Sequence, residues 1–318
     1  MNIYEIDRMD ELKRLFSSSA VTLGNYDGIH RGHSVLIRHL KEAASLKSLP
    51  SVLITYSPNP AAVLGKNPNH RAIYSERKKE EILQEFGIEN LIRIRFTREF
   101  SEIHAPDFVR MILKETVHAS HIVIGFNHFF GKNREGDYQF LKKISEQSGF
   151  VTEEIPPVFY NEEQISSSKI RQCISEGNIK KANCFLGRDF SISGRVVSGD
   201  QKGREIGFPT ANLSLPEGII VPGNGVYSGY IKIQNSMLPA MTNIGTRPTL
   251  NGTELRIESH IIGFQGDLYG TDLEVYLAEK IREEKKFPSF NDLKLQLEED
   301  RKKTEYLISN RSEFKTGT

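Results

Sequence analysis

Cysteine is scarce: the chain carries only Cys173 and Cys184. No C-x-x-C pair or Cys/His cluster occurs at ligand spacing, so neither a disulfide framework nor a structural zinc site is expected. Long apolar spans are missing too. The first residues, MNIYEIDRMDELKR, are charged from the fifth onward and contain no apolar signal-peptide core, so no membrane partner and a cytoplasmic location are expected. Neither sign of charge is in excess, since 42 Lys and Arg face 41 Asp and Glu for a net +1. That is too little for a broad nucleic-acid footprint, and no nucleic-acid partner is expected. The Walker pattern G-x-x-x-x-G-K-[ST] is absent as well, which excludes a P-loop.

What is present is an ordinary globular composition, 38% hydrophobic and 26% charged over 318 residues, and length enough for two domains. In the first half, β-rich runs at 21–23, 51–56, 90–96, 121–125 and 151–155 alternate with helical spacing at 33–40, 76–86, 105–117 and 137–147. This predicts an α/β fold, a doubly wound parallel Rossmann-like sheet with right-handed crossovers and a ligand site at its carboxyl edge. A composition change near Gly187 sets the expected domains at 1–186 and 187–318. Beyond it, short β-rich segments at 191–197, 225–233, 255–264 and 273–277 are separated by Gly/Pro/Asn turns. They predict a small antiparallel β-barrel, followed by one long C-terminal helix over 290–307.

The first strand runs into GNYDGIHRGH, residues 24–33. Gly24, Gly28 and Gly32 fall where a strand gives way to a helix, a junction at which glycine admits positive φ and the new helix's N–H groups attract phosphate. His30 and His33 flank Gly32 and are short enough to aim ring N–H groups at one bound anion. Further on, Ser166-Ser167-Ser168 supplies caps for a helix carrying Arg171. In the second half, GDQKGREIGFPTAN at 199–212 is a glycine-rich loop with Lys202 and Arg204. Its alternation puts Thr210 and Asn212 on one side, two oxygen-bearing side chains suited to Mg²⁺ and phosphate. Glu258 and His260 share one face of a strand.

GNYDGIHRGH resembles the H-x-G-H motif of the nucleotidylyltransferase superfamily, in the form seen in prokaryotic bifunctional riboflavin kinase/FMN adenylyltransferases (FAD synthetases). Ile165 to Arg171 is similar to the I-S-S-T-x-x-R element of that superfamily, with Ser168 in place of threonine. Gly207-Phe208-Pro209-Thr210-Ala211-Asn212 resembles the G-F-P-T-A-N signature of riboflavin kinases. NGVY at 224–227, NIGTRPT at 243–249 and GDLYG at 266–270 add further matches in order.

The resemblance implies two reactions, each using ATP with Mg²⁺. Riboflavin and ATP give FMN in the second domain, and FMN and ATP give FAD and pyrophosphate in the first. It implies His30, His33 and Arg171 as catalytic groups for the second reaction, with Gly24, Asn25, Asp27, Gly28, Gly32, Ser167 and Ser168 at the nucleotide and Asn59 and Asn127 at the flavin. For the kinase it implies Glu258 as base, Gly199, Lys202, Gly207, Pro209, Thr210 and Asn212 at the nucleotide and metal, and Arg247, Arg282 and Phe287 near the flavin. His260 is expected to be structural.

Two places depart from the family pattern. Asn59 stands where many members carry a histidine or another basic residue, and GFNHFFG at 125–131 replaces the commoner G-x-D-F-R-F-G, with Asn127 for Asp and Phe129 for Arg. Both fall in the adenylyltransferase half. They motivate an alternative in which only the kinase is active and the first domain senses flavin or nucleotide. A third reading, an RNA-binding relative of aminoacyl-tRNA synthetases, leaves the G-F-P-T-A-N loop unexplained.

Overall fold

In the computed structural model, residues 7–14, 66–69, 201, 235, 250–251 and 312–318 aside, the whole chain is described. The run SAVTL is buried along its entire length, as a strand covered on both faces must be. This is β2 (Ser19–Leu23), the middle of a six-stranded sheet with β1 (Asn2–Ile6), β3 (Ser51–Ser57), β4 (Asn90–Arg95), β5 (Ala119–Gly125) and β6 (Val151–Ile155). All neighbours are parallel, in the order β1-β4-β3-β2-β5-β6. The chain winds outward through β3 and β4 on one side of β2 and through β5 and β6 on the other. The switch point therefore lies at the carboxyl ends of β2 and β5, where open α/β sheets bind ligands.

Crossovers run through α1 (Arg31–Leu46), the short α2 (Pro60–Val63), α3 (Glu76–Glu85), the short α4 (Arg98–Ser101), α5 (Ala105–Phe108) and α6 (Tyr138–Ser148). Ile37, Leu40, Ala43 and Ala44 of α1 recur at helical spacing and bury one face. The helix expected over 105–117 begins as α5 and continues as a wider π-helical stretch, Val109–Lys114, which keeps Val109, Ile112 and Leu113 in the core. β1 was not expected; its five residues extend the sheet by pairing with β4.

The second sheet closes on itself. After a small hairpin of β7 (Phe159–Tyr160) with β8 (Glu163–Gln164) come α7 (Ser167–Ser175) and α8 (Ile179–Leu186). Six antiparallel strands then form a barrel in the order β10-β13-β12-β11-β14-β9: β9 (Phe190–Val197), β10 (Ala211–Ser214), β11 (Gly225–Ile233), β12 (Ser236–Thr249), β13 (Gly252–Ile261) and β14 (Asp272–Arg282). A single turn of helix, α9 (Lys202–Glu205), interrupts the loop between β9 and β10, and α10 (Phe290–Ser309) packs on β11, β12 and β14. Strands β10 and β12 were not anticipated. β12 holds Pro239 and Pro248, and proline withdraws a ladder donor.

Two compact units result, Met1–Ser166 and Ser167–Thr318. α7 and α8 thus group with the barrel, although the composition changes only near Gly187. α8 packs on β9 and β14 and α7 on α8, and Asn183 of α8 adds polar ties: its side-chain N–H groups donate to Leu277 O at 2.9 Å and Asp189 at 3.0 Å, while its oxygen accepts from Phe190 N at 2.8 Å.

Candidate active sites

In the first unit the stretch between β2 and α1 folds as a tight cup. Positive φ falls at Tyr26, Gly28 and Ile29 rather than at Gly24 or Gly32. Gly28 needs its freedom twice over, since at φ +85° an added Cβ would also meet Ile73 at 2.8 Å. Tyr26 is buried, its hydroxyl 2.6 Å from Thr22 Oγ1, and burial raises its pKa. Asp27, expected at the nucleotide, is buried; it accepts the Ile73 N–H at 2.9 Å and lies 3.9 Å from His70. It anchors the cup from inside. Asn25 is exposed, and its carbonyl accepts from Thr55 Oγ1 at 3.4 Å.

His30 caps α1, a position that ordinarily goes to Ser, Thr, Asp or Asn. Its Nδ1 accepts the His33 N–H at 3.3 Å, and the two rings stack with centroids 3.7 Å apart and 13° between planes. A neutral His30 whose Nδ1 accepts carries its proton on Nε2. His30 thus offers one ring donor, not two, and spends the other nitrogen on a helical N–H that was expected to meet the ligand. Gly32 makes room for the ring, for a Cβ there would stand 3.0 Å from it.

Asn59 and Asn127 follow β3 and β5 at the same carboxyl edge. The oxygen of Asn59 caps α2 by accepting from Ala61 N at 2.9 Å, while Asn127 is exposed. Phe129, at the place of the missing arginine, is 40% exposed and carries the Arg134 guanidinium 4.2 Å above its ring.

In the second unit Ser167, Ser168 and Arg171 lie in the first two turns of α7, where Arg171 donates to Ser168 Oγ at 3.2 Å. On the barrel, Ile257, Ser259 and Ile261 of β13 turn inward and are buried, so Arg256, Glu258 and His260 share the outer face. Glu258 pairs with Asn212 on β10 and with Asn243 on β12. Two amides therefore flank one carboxylate across three strands. Burial raises the Glu258 pKa, against the lowering effect of Arg256 and Arg247, while Asp200 and Glu284 add to the rise. Glu258 lines a cavity of about 250 Å³ together with Thr210, Asn243, Arg247, Arg256 and Asp200.

The glycine-rich loop roofs this cavity. A Cβ on Gly199 would overlap the Asn212 amide at 2.3 Å, so the loop lies directly on that side chain. His260 pairs through Nδ1 with the Pro209 carbonyl at 2.8 Å and packs on Phe208, ring centroids 5.0 Å apart. It holds the G-F-P-T-A-N turn in place. Gly207 has φ +85°, and the Lys202 side chain lies outside the described residues. Arg247 pairs with Asp200, and Arg282 with the buried Asp300, both at 2.8 Å; Arg282 also lies 5.7 Å over the Phe287 ring.

Residues 13–169 match the FAD synthetase family and residues 186–308 the riboflavin kinase family. A protein of Buchnera aphidicola subsp. Acyrthosiphon pisum named bifunctional riboflavin kinase/FMN adenylyltransferase is 36% identical, with 91% of this chain and 93% of that protein covered. Its namesake in Escherichia coli K12 is 35% identical, over 88% of this chain and 90% of the other. The chain belongs to the bifunctional riboflavin kinase/FMN adenylyltransferase family. A crystal structure from Streptococcus pneumoniae described as a macrolide-efflux protein matches with a TM-score of 0.89 and 33% identity, covering 98% of this chain and 100% of that one. Among the described residues no helix is long and apolar enough to cross a membrane.

Both domains of the bifunctional family are thus present, each on the scaffold expected for it. The residues that sequence reasoning passed over are Asp200, Asn243, Arg256 and Glu284 of the barrel cavity. Arg256 lies two positions before Glu258, so strand alternation alone could have placed it on the same face. Asp200 and Asn243 stood inside quoted motifs. Their convergence on Glu258 depends on strand register, which the sequence does not display.

The chemistry of the barrel cavity suits a nucleotide-borne divalent cation. Thr210 and Glu258 present hard oxygen donors to it and Asn212 stands opposite Glu258 on the adjoining strand, whereas no cluster of three His, Cys, Asp or Glu among the described residues could hold a metal alone. A cation carried in on phosphates fits such a donor set.

Proposed function

We propose that the barrel phosphorylates riboflavin to FMN with ATP, and that the parallel-sheet domain adenylylates FMN to FAD with release of pyrophosphate. Membership of the bifunctional family carries both activities. The observation that supports the kinase assignment is Glu258, a carboxylate of raised pKa between two asparagines, facing a cavity shared with Thr210. Its proton affinity suits a general base that takes the proton from the ribityl 5′-hydroxyl as that oxygen attacks the γ-phosphate. Thr210 and Asn212 would hold the metal-nucleotide, and Mg²⁺ is the cation assigned; when bound it neutralises phosphate charge. Asn243 stands opposite Glu258 in register and donates to Glu284 at 3.2 Å, His260 fixes the loop, and Arg282 with Phe287 is assigned to the flavin.

In adenylyl transfer no protein nucleophile is needed, because the attacking oxygen belongs to the FMN phosphate. His30, through Nε2, and His33 are assigned to the α-phosphate as charge builds there, and Ser167, Ser168 and Arg171 to the departing pyrophosphate. Asn59 and Asn127 are assigned to the flavin, and Asn25 with the glycine cup to the nucleotide. Because Arg171 serves this reaction, the functional division is placed at 186/187.

Chromatography of products from the purified full chain tests both halves. With riboflavin, ATP and Mg²⁺, FMN and then FAD are expected. Supplied with FMN, His30→Ala should lose FAD formation by at least about a hundredfold, whereas Glu258→Gln should retain it and lose about 10²–10⁴-fold in FMN formation from riboflavin. FMN accumulating without FAD in the wild type would favour a kinase with a silent first domain.

A further inference from the structure

Asp200 plays no part in the chemistry just described, yet it holds two cations at the mouth of the kinase cavity. One oxygen, Oδ2, accepts from Nη1 of Arg247 and from Nη1 of Arg256, each at 2.8 Å. The three residues come from separate elements: the glycine-rich loop, β12 and β13. All three line the cavity together with Thr210 and Glu258. Hydrogen bonding from Arg256 holds the Asp200 carboxyl below its usual range. Guanidinium forks are shaped for phosphate oxygens as well as for carboxylates. We propose that Asp200 is a displaceable carboxylate that occupies Arg256 and Arg247, the latter expected near the flavin, until the phosphates of the incoming nucleotide take them over. The inference rests on the reading of this cavity as the kinase site.

Three features favour exchange over a fixed strut. The side chains of Asp200, Arg247 and Arg256 are 40%, 54% and 25% exposed, so solvent screens both pairs and they break readily. A single oxygen serves both arginines, leaving much of their donor capacity unspent. A polyanionic phosphate chain also outbids one carboxylate for a pair of guanidinium groups, whereas the uncharged flavin cannot. The exchange would make this mouth selective for phosphate-bearing ligands. Arg256 keeps a second contact, Glu254 at 3.4 Å, which would hold its guanidinium near the cavity once Asp200 lets go.

The test is steady-state riboflavin phosphorylation by the full chain. Asp200→Asn keeps the shape and removes the competing charge. The KM for MgATP and the inhibition constant for ADP should fall together, about three- to tenfold, with kcat changed less than either. Asp200→Glu, which keeps the charge, should restore wild-type values. Arg256→Gln should raise the KM for MgATP about tenfold while that for riboflavin stays put. In the double variant Asp200→Asn/Arg256→Gln the gain should shrink. A strut predicts a lowered melting temperature with MgATP and ADP affinities unchanged or weaker in Asp200→Asn, and that result overturns the proposal. Should Asp200→Asn not fold, an unchanged MgATP KM in Arg256→Gln overturns it instead. A wild-type chain that makes no FMN would instead defeat the reading of the cavity.

Discussion

His128 stands one residue from the exposed Asn127, with its Nε2 inaccessible and without a hydrogen-bond partner. Burial, reinforced by the Arg134 charge, pushes its pKa down to about 4 from an ordinary 6.5. The sign of the consequence is fixed by linkage. Between those values the unfolded chain binds a proton that the folded chain refuses, so stability is fully present above about pH 6.5 and drains away as pH falls towards 4. His128→Phe keeps the stacking on Phe130 and removes the proton site. Urea midpoints of the first unit should then decline less between pH 6.5 and 4 than in the wild type, and a decline of equal steepness would contradict this account. Glu258 follows the same physics with opposite chemistry, since burial there strengthens a base.

At the scale of elements, α10 is tied to β14 through a buried carboxylate. Asp300 is 4% exposed; its Oδ2 accepts from Nε and Nη2 of Arg282 at 2.8 Å, and its Oδ1 accepts from Gln296 at 3.0 Å. Asp300 falls on the stripe Leu293, Leu297, Thr304 and Ile308 that faces the barrel, where a charge is tolerated only because it is paired. Asp300→Ala should destabilise the second unit by about 3 kcal/mol, because it strands Arg282. It should also raise the KM for riboflavin, since Arg282 lies over Phe287. Denaturant titration and flavin kinetics measure the two effects separately. The helix itself was legible from leucine spacing, but the aspartate within its buried face was not, for only the register against β14 reveals its partner.

Across the molecule, the parallel sheet and the barrel were both foreseeable, because continuous apolar runs and short turn-bounded strands carry different periods. Less visible was whatever depends on pairing over distance. β1 is five residues with little burial, β12 contains two prolines, and α7 and α8 join the second unit through packing on β9 and β14 and the Gly223–Ile174 backbone bond. Of the proposed site residues, His30, Thr210 and Glu258 stand in motifs that the sequence displays. The burial of Asp27 was not readable, because an acidic residue in a glycine-rich cup looks the same in sequence whether it faces outward or accepts from Ile73 within.

The sheet's rim beside β4 is supplied by β1, whose Asn2 amide meets Asn90 at 3.1 Å. Trimming the chain past Ile6 would hand that rim to β4, with its backbone donors and acceptors bared beside Leu91, Ile92 and Ile94. Such a margin invites strands from other molecules, so colloidal behaviour would suffer before turnover did.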